Sequence, residues 1–473
     1  MLLPVKHIFR AYDIRGRVPA ELNPQICNLL GSALAACSHA RDLRQWTLGY
    51  DGRLSSPELA VALAGGLAAG GAEVTDIGLV PTPLLYYATC RQEQQCGVML
   101  TGSHNPVDYN GLKIMLDGEA MAGDQITDLY RRISTGDLAS GSGSVCRQDF
   151  SAAYIRAALA ACQPLKRPLR LVIDAGNGAA GKIAPELYRA LGCEVVELFC
   201  DIDGTFPNHH PDPGKIENLQ HLIAAIAQHK ADIGFAFDGD GDRLGIVTNQ
   251  GEVIFPDRAL MLLAEDLLAR HPHSTILMDV KCSPLVFQHI AAAGGRPQLA
   301  PSGHSLIKRA MKREAALLAG EMSGHMFFAE DWNGCDDALL AGVRLLTLIS
   351  HFRGSSSELF ADYPAWLGTA EINLTSSESR KWEIIQELQQ HGEFGNGKLI
   401  DIDGIRIEYA HSWGLIRCSN TTPTLVLRFE GKTSAHLSTT IQHFAKQLAG
   451  VAPELDISPL HQAYSEALTN HAD

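Results

Sequence analysis

The chain has 473 residues, with 39 Lys and Arg against 53 Asp and Glu and a formal net charge of −14, so its bulk charge offers nothing to nucleic acid. Hydrophobic residues make up 46% and charged residues 19%, a globular composition rather than a disordered one, and at about 150 residues per domain the length suggests about three domains. The longest run without a polar side chain, Ala60 to Ala72, is too short to span a membrane. The N-terminus lacks the basic start and apolar run of a secretion signal, and the eleven Cys form no C-x-x-C pair. The expectation is a folded cytoplasmic protein with free thiols and no membrane or nucleic-acid partner; oligomeric state is left open.

Alternating strands and helices come first. Thr47 to Tyr50 reads as a strand. Ser56-Pro57-Glu58 then supplies an N-cap, a first-turn Pro and an acidic residue for a helix that stops at Gly70-Gly71. Glu73 to Ile77 is a second strand, and Cys96 to Leu100 a buried third that ends at Thr101-Gly102-Ser103-His104-Asn105-Pro106. Thr135 to Ser144 is rich enough in Gly and Ser to predict an unpacked connector near the end of a first domain, 1–147.

A second unit, 148–252, has strands Leu169 to Asp174, Glu194 to Phe199 and Ile233 to Phe237, helices to Leu191 and over Ile216 to His229, and the loop Asp238-Gly239-Asp240-Gly241-Asp242-Arg243. A third, 253–365, has strand Ser274 to Met278, a helix opened by Ser283-Pro284, another from about Gly303-His304-Ser305, and the loop Gly320 to His325. From 366 to 473 the pattern becomes a strand, a helix over Glu378 to Gln390, strands around Asp403-Gly404 and a final helix. The predicted class is α/β: three related αβ domains with mixed sheets and a smaller C-terminal α+β domain, arranged around a central cleft. Ligands of open αβ sheets sit beyond the carboxyl ends of the strands, where these loops lie.

Asp238, Asp240 and Asp242 alternate with Gly straight after an apolar strand, and three carboxylates so close need a hard cation such as Mg²⁺. An EF-hand is excluded, since Arg243 stands where it needs Gly and Asn249 where it needs Glu. Ser103 beside His104 is a candidate nucleophile only if a base or metal activates it, and no G-x-S-x-G elbow surrounds it. Arg417 with Ser419-Asn420-Thr421-Thr422-Pro423, between two strands, offers the guanidinium, hydroxyls and turn N–H groups that suit phosphate. Gly176-Asn177-Gly178-Ala179-Ala180-Gly181 matches a dinucleotide fingerprint, with Glu197 about where a ribose would bind, and supports a rival reading as a dehydrogenase.

Together these loops, with Phe9-Arg10-Ala11-Tyr12-Asp13-Ile14-Arg15-Gly16, Gly303-His304-Ser305 and Gly320-Glu321-Met322-Ser323-Gly324-His325, resemble the α-D-phosphohexomutase family, in its bacterial phosphomannomutase/phosphoglucomutase branch, across essentially the whole chain. The resemblance implies a phosphorylated Ser103 and Mg²⁺ held by Ser103, Asp238, Asp240 and Asp242. It further implies interconversion of hexose 6- and 1-phosphates of mannose and glucose through a hexose 1,6-bisphosphate, which also acts as activator. Arg15, Arg243 and Lys281 would stabilise transferring charge. Lys113 and His325 would be acid/base groups, supported by His104. Tyr12 and His304 would line the cleft, Glu321 and Ser323 would hold sugar hydroxyls, and Arg417, Ser419, Asn420 and Thr421 would bind the phosphate that stays. The alternatives are a phosphoglucosamine mutase, the dehydrogenase above and a non-enzymatic phosphosugar-binding protein. Gly102 stands where many relatives carry Ala, an exchange expected to matter little, and Ala300-Pro301-Ser302 replaces their common Trp-Lys-Thr.

Overall fold

The computed structural model describes residues 3–420 and 422–469. Three of its four sheets contain the same four-strand kernel. In the first, Gln45–Tyr50 pairs in parallel with Glu73–Leu79 on one side and Cys96–Leu100 on the other, and Cys96–Leu100 pairs antiparallel with Tyr109–Leu116. In the second, Arg170–Asp174 lies parallel between Glu194–Leu198 and Ile233–Phe237, and the latter runs antiparallel to Leu244–Thr248. In the third, Thr275–Asp279 lies parallel between Arg296–Ala300 and Leu318–Gly320, which runs antiparallel to Met326–Phe328. The serine, triple-aspartate and Gly320–His325 loops therefore occupy one equivalent place, the turn from the third kernel strand into the antiparallel fourth.

The parallel strands read as continuous apolar runs because helices cover both faces. Cys96–Leu100, Ile233–Phe237 and Thr275–Asp279 are buried at every position. Apolar side chains of the first three units merge into one core, with Val80, Leu84 and Met99 from the first, Ile173, Phe235 and Phe237 from the second, and Leu260, Met278 and Leu339 from the third. A separate core fills the first sheet's other face.

Several local expectations need correction. Ser56 is the first helical residue of Ser56–Ala69, after Ser55, and its hydroxyl donates to Asp51 Oδ1 at 2.6 Å instead of capping. The Gly/Ser stretch packs. Gly141 and Gly143 donate to the carbonyls of Ala69 and Ala68 at 2.7 and 2.8 Å, and a Cβ on Gly143 would lie 1.9 Å from the Ala72 oxygen. Ser144–Arg147 then extends the first sheet, parallel to Glu73–Leu79. The dinucleotide-like turn spends its first four amides within the protein: Gly176, Asn177, Gly178 and Ala179 donate to Asp174, Phe199, Ala175 and Gly239, and Glu197 pairs with Arg189. Its glycines instead let the triple-aspartate loop approach, since a Cβ on Gly178 would sit 2.8 Å from the Gly239 oxygen.

The C-terminal unit folds a mixed-length antiparallel sheet, including Ile405–Glu408, Ser412–Cys418 and Thr424–Gly431, against Arg380–His391 and two final helices, Ser434–Val451 and Ser458–Thr469, where one was expected. Leu374, Ile384, Phe429, Ile441 and Phe444 belong to its own core. It meets the third unit narrowly. Arg406 donates to the carbonyls of Val280 and Cys282 at 2.6 and 2.7 Å, Arg428 to that of Lys281, and Trp413 and Leu415 pack on Val280.

Glu330 braces the third unit, receiving Arg270 in a two-point contact at 2.8 Å and Arg344 at 2.6 Å. Burial works against ionisation, but the two guanidiniums outweigh it and hold the carboxyl at about 2. A depressed native pKa means that this contribution is full above the unfolded value and disappears as pH falls toward 2. Glu330→Gln should therefore lower the urea midpoint at pH 7, and the gap to the parent should narrow as pH drops from about 4.3 toward 2. A gap independent of pH in that window would contradict the ion-pair account.

Candidate active site

Ser103 sits in the turn beyond Leu100 with φ of 47°, a left-handed conformation that costs an L-residue roughly 1–2 kcal/mol. Two residues at the end of the kernel's first strand hold it there. Asp51 accepts from Thr101 Oγ1 and the Gly102 amide at 2.8 and 3.1 Å, and Thr101 Oγ1 in turn accepts from the Ser103 amide at 2.8 Å. Arg53, 1% exposed, donates to the carbonyls of Ser103, Asn105, Pro106 and Tyr109 at 2.7, 2.6, 2.6 and 3.0 Å. Neither residue was singled out in the sequence. The signal was an apolar strand ending in Asp, which recurs as Asp174 and Asp279 in the other two kernels. Asp174 binds the Gly176 amide and His209, and Asp279 binds the Met322 amide and the Ser302 hydroxyl.

Ser103 Oγ donates to Asp238 Oδ2 at 2.8 Å and lies 3.1 Å from His104 Nδ1. Asp238, Asp240 and Asp242 are fully buried, each with a carboxylate oxygen within 4.8 Å of the others. Burial, then Asp240 and Asp242, push the Asp238 carboxyl well above the usual range. Lys113 reaches the cluster because Leu112 and Ile114 face the first sheet's separate core, which turns the residue between them to the opposite side. Its ammonium donates to Asp240 Oδ2 at 2.6 Å and to Asp242 Oδ2, and Thr82 also donates to Asp240 Oδ2. These carboxylates outweigh burial and hold Lys113 above the ordinary lysine range. Asp240 Oδ1 remains buried and without a hydrogen-bond partner, and Asp242 Oδ1 has only His325 Nε2 beside it, at 3.3 Å. Hard oxygens, close together, buried and partly unpartnered are what a divalent cation requires, so the residues present fit one.

Cations surround this cluster. Arg243 Nε lies 4.0 Å from Asp238, and its Nη1 lies 3.9 Å from Asp212. Arg15 donates to Asp13 at 2.6 Å and to Asn105 of the serine loop. His104 stays neutral: burial, then Arg243, Arg15 and Lys113, push its pKa well down. His325 is the opposite case. Its Nε2 lies 3.3 Å from Asp242 and its Nδ1 3.2 Å from Glu321, and these carboxylates overcome burial to hold it at about 9. Ser323 Oγ lies 2.8 Å from His325 Nδ1, Glu321 Oε1 accepts from the Gly303 amide at 2.7 Å, and Tyr12 stands edge-on to His304 at 5.3 Å.

The junction of the third and fourth units adds two more cations. Arg417 Nε pairs with Asp403 at 2.8 Å while its Nη2 is buried and unpartnered, and Lys281 pairs with Glu371 at 2.7 Å. Asn420 donates to the Ser302 carbonyl at 3.3 Å. The Ser419 hydroxyl accepts from Thr422 N and Oγ1, closing the turn, and the buried Lys381, passed over in the sequence, donates to the carbonyls of Ser419 and Thr422. Thr421 lies outside the described residues.

Three αβ units and an antiparallel C-terminal one that bring together a serine, an aspartate triad and converging cations describe a sugar-phosphate mutase. Family models for phosphoglucomutase/phosphomannomutase match in chain order: alpha/beta/alpha domain I over 6–140, domain II over 152–251, domain III over 255–366 and the C-terminal domain over 371–447. A phosphomannomutase/phosphoglucomutase of Pseudomonas aeruginosa is 49% identical over 95% of this chain and 97% of its own. A phosphoglucomutase of Neisseria gonorrhoeae is 48% identical over 91% and 94%. A crystal structure of a phosphoglucomutase/phosphomannomutase family protein from Burkholderia thailandensis superposes with a TM-score of 0.91 at 43% identity, over 95% of this chain and 99% of that one. The chain belongs to the phosphoglucomutase/phosphomannomutase family.

Gly102 is closely packed against the clamp. A Cβ on Gly102 would lie 2.4 Å from Arg53 Nε and 2.8 Å from the Tyr109 oxygen. Gly102→Ala should displace the Arg53 clamp and destabilise the protein by about 1–3 kcal/mol, the usual cost of overpacking, with a larger loss in kcat than in apparent substrate affinity. A thermal melt and steady-state kinetics check this; a variant identical to the parent in both would show that Arg53 does not fix the loop.

Proposed function

We propose that the cleft interconverts the 6- and 1-phosphates of mannose and glucose through a phosphorylated Ser103 and a hexose 1,6-bisphosphate that also acts as activator. The observation that carries this reading is the Ser103 hydroxyl bonded to Asp238 at the edge of a buried triad whose oxygens fit a cation. Family membership makes the chain a hexose-phosphate mutase, and the dehydrogenase alternative loses its support with the occupied amides of residues 176–179.

In the forward step the Ser103 Oγ–P bond breaks as a bond forms from phosphorus to the free sugar hydroxyl. Lys113 and His325, both held in the protonated form by their carboxylates, would serve as acid: one of them gives a proton to Ser103 Oγ, with His104 beside it, and the proton lost by the sugar hydroxyl replaces it. The bisphosphate then turns over, and its other phosphoryl group returns to Ser103. Asp238, Asp240, Asp242 and the oxygen on Ser103 would hold Mg²⁺, whose charge, when bound, offsets that developing on the phosphoryl group. Arg15 and Arg243 face the same region, and Lys281, Arg417, Ser419, Asn420 and Thr421 would receive the phosphate that stays. Tyr12 and His304 line the sugar's path, with Glu321 and Ser323 placed for O3 and O4. Those hydroxyls exchange places when the ring makes a half-turn, and both are common to the C2 epimers mannose and glucose. Among the described residues no helix is long and apolar enough to cross a membrane, and eleven unbridged cysteines fit a reducing compartment; we place the enzyme in the cytoplasm.

Intact-mass and peptide analysis should find a phosphoryl group on Ser103, and both Ser103→Ala and Asp240→Asn should abolish turnover that EDTA removes and Mg²⁺ restores. Full activity in Ser103→Ala would defeat the mechanism. Arg417→Ala should raise KM about 10- to 150-fold, the equivalent of the 1.5–3 kcal/mol of a charge-assisted hydrogen bond. In a coupled assay, kcat/KM for mannose and glucose 1-phosphates should agree within about a hundredfold, because the contacts proposed for Glu321 and Ser323, to O3 and O4, are the same for both epimers. An enzyme that turned over one sugar alone would refute the dual specificity.

A further inference from the structure

Lys308 lies on the helix His304–Glu314 with its ammonium buried between two domains. It donates to Asp336 Oδ1 at 2.7 Å and to the Tyr86 hydroxyl at 3.0 Å, and it lies 3.1 Å from His304 Nδ1, one helical turn back. An ammonium carries donors and no acceptor, so this last contact has one sense only. Nδ1 accepts, and the ring proton of a neutral His304 must sit on Nε2. That nitrogen is buried and has no partner. Its ring lies between Tyr12, edge-on at 5.3 Å, and His325, stacked at 5.8 Å, both of which line the cleft.

We propose that Lys308 is a positioning residue that fixes His304 as the neutral Nε2–H tautomer and presents that N–H to the cleft as a preset donor for an oxygen of the phosphosugar. The proposal rests on the reading of the cleft given above. Asp336, itself fully buried, anchors the ammonium, and Tyr86 of the first domain supplies the third acceptor, so all three donors are satisfied. Burial, then Lys308, keep His304 well below the ordinary imidazole range, in agreement with a neutral ring. A donor oriented before the ligand arrives needs no reorganisation when charge develops on the oxygen it meets. Unheld, an imidazole can flip or exchange tautomers, and half of those states would offer the substrate an acceptor.

The test uses full-length protein labelled with [¹⁵N]histidine, without substrate, with His304 assigned from the signals missing in His304→Gln. The expected spectrum has a protonated Nε2 and an unprotonated, hydrogen-bonded Nδ1; a protonated Nδ1 would overturn the proposal. Lys308→Met should shift His304 to a tautomer mixture and lower kcat/KM about 10- to 100-fold, as loss of a partner that orients a functional imidazole does. Because that change strands the Asp336 carboxylate, Lys308→Met/Asp336→Asn provides a second variant with no unpaired buried charge. Unchanged His304 shifts or unchanged kcat/KM in a folded variant would overturn the proposal. Absence of turnover in the parent would instead overturn the reading of the cleft, because the tautomer is measured without substrate.

Discussion

Three carboxylates buried within 4.8 Å of one another are the constraint around which the rest is arranged. At an effective dielectric constant near 20, two like charges 4 Å apart repel by about 4 kcal/mol, so three such pairs approach the whole stability of an ordinary domain. Lys113 offsets part of this from the first domain, and His325 does so from the third; Arg243 lies within the loop itself. The charges that make the loop tolerable thus come from separate units, and the cluster acts as a reason for those units to assemble. A divalent cation would add what the side chains leave uncompensated at Asp240 Oδ1.

The repeated kernel explains how one cleft can gather such different chemistry. Each kernel turns from its third strand into an antiparallel fourth, and each turn delivers one polar loop at the same end of its sheet. Each also ends its first strand at an aspartate: Asp51 tethers the serine loop, Asp174 the Gly176 turn, and Asp279 the Ser302 and Met322 backbone and hydroxyl groups. The supporting device is shared, while the cargo of the loops differs.

What was legible in the sequence was what is written locally. The triple aspartate, Ser103 and the turn after Arg417 are contiguous motifs beyond apolar strands, and the four-unit architecture follows from strand and helix alternation. What was not legible depends on distant partners. Arg53 grips carbonyls 50 to 56 residues away, and Lys308 meets Tyr86 across 222 residues, so neither looks special beside other basic residues. The glycines of 176–181 were ambiguous for a physical reason: a turn built for close backbone approach serves another protein loop as well as a dinucleotide, and only the partner at Gly239 decides between them. The Gly/Ser stretch before Ser144 misled in the same way, because absent side chains permit tight packing as readily as freedom.

The first three units share a continuous apolar core, while the fourth rests on the segment 280–282 through two arginines and Trp413. The fourth also meets the third at Ser302, whose amide donates to Asp403 and whose carbonyl accepts from Asn420, and at Lys281, paired with Glu371, so that joint is largely polar where the other three units share apolar packing. Arg406 and Arg428 grip the backbone on either side of and at Lys281, so strain at that joint is transmitted to the lysine as well as to Arg417. Lys281 in the third unit and Arg417 in the fourth lie near enough to feel each other's charge, so a shift of one unit against the other would alter the spacing of the two cations.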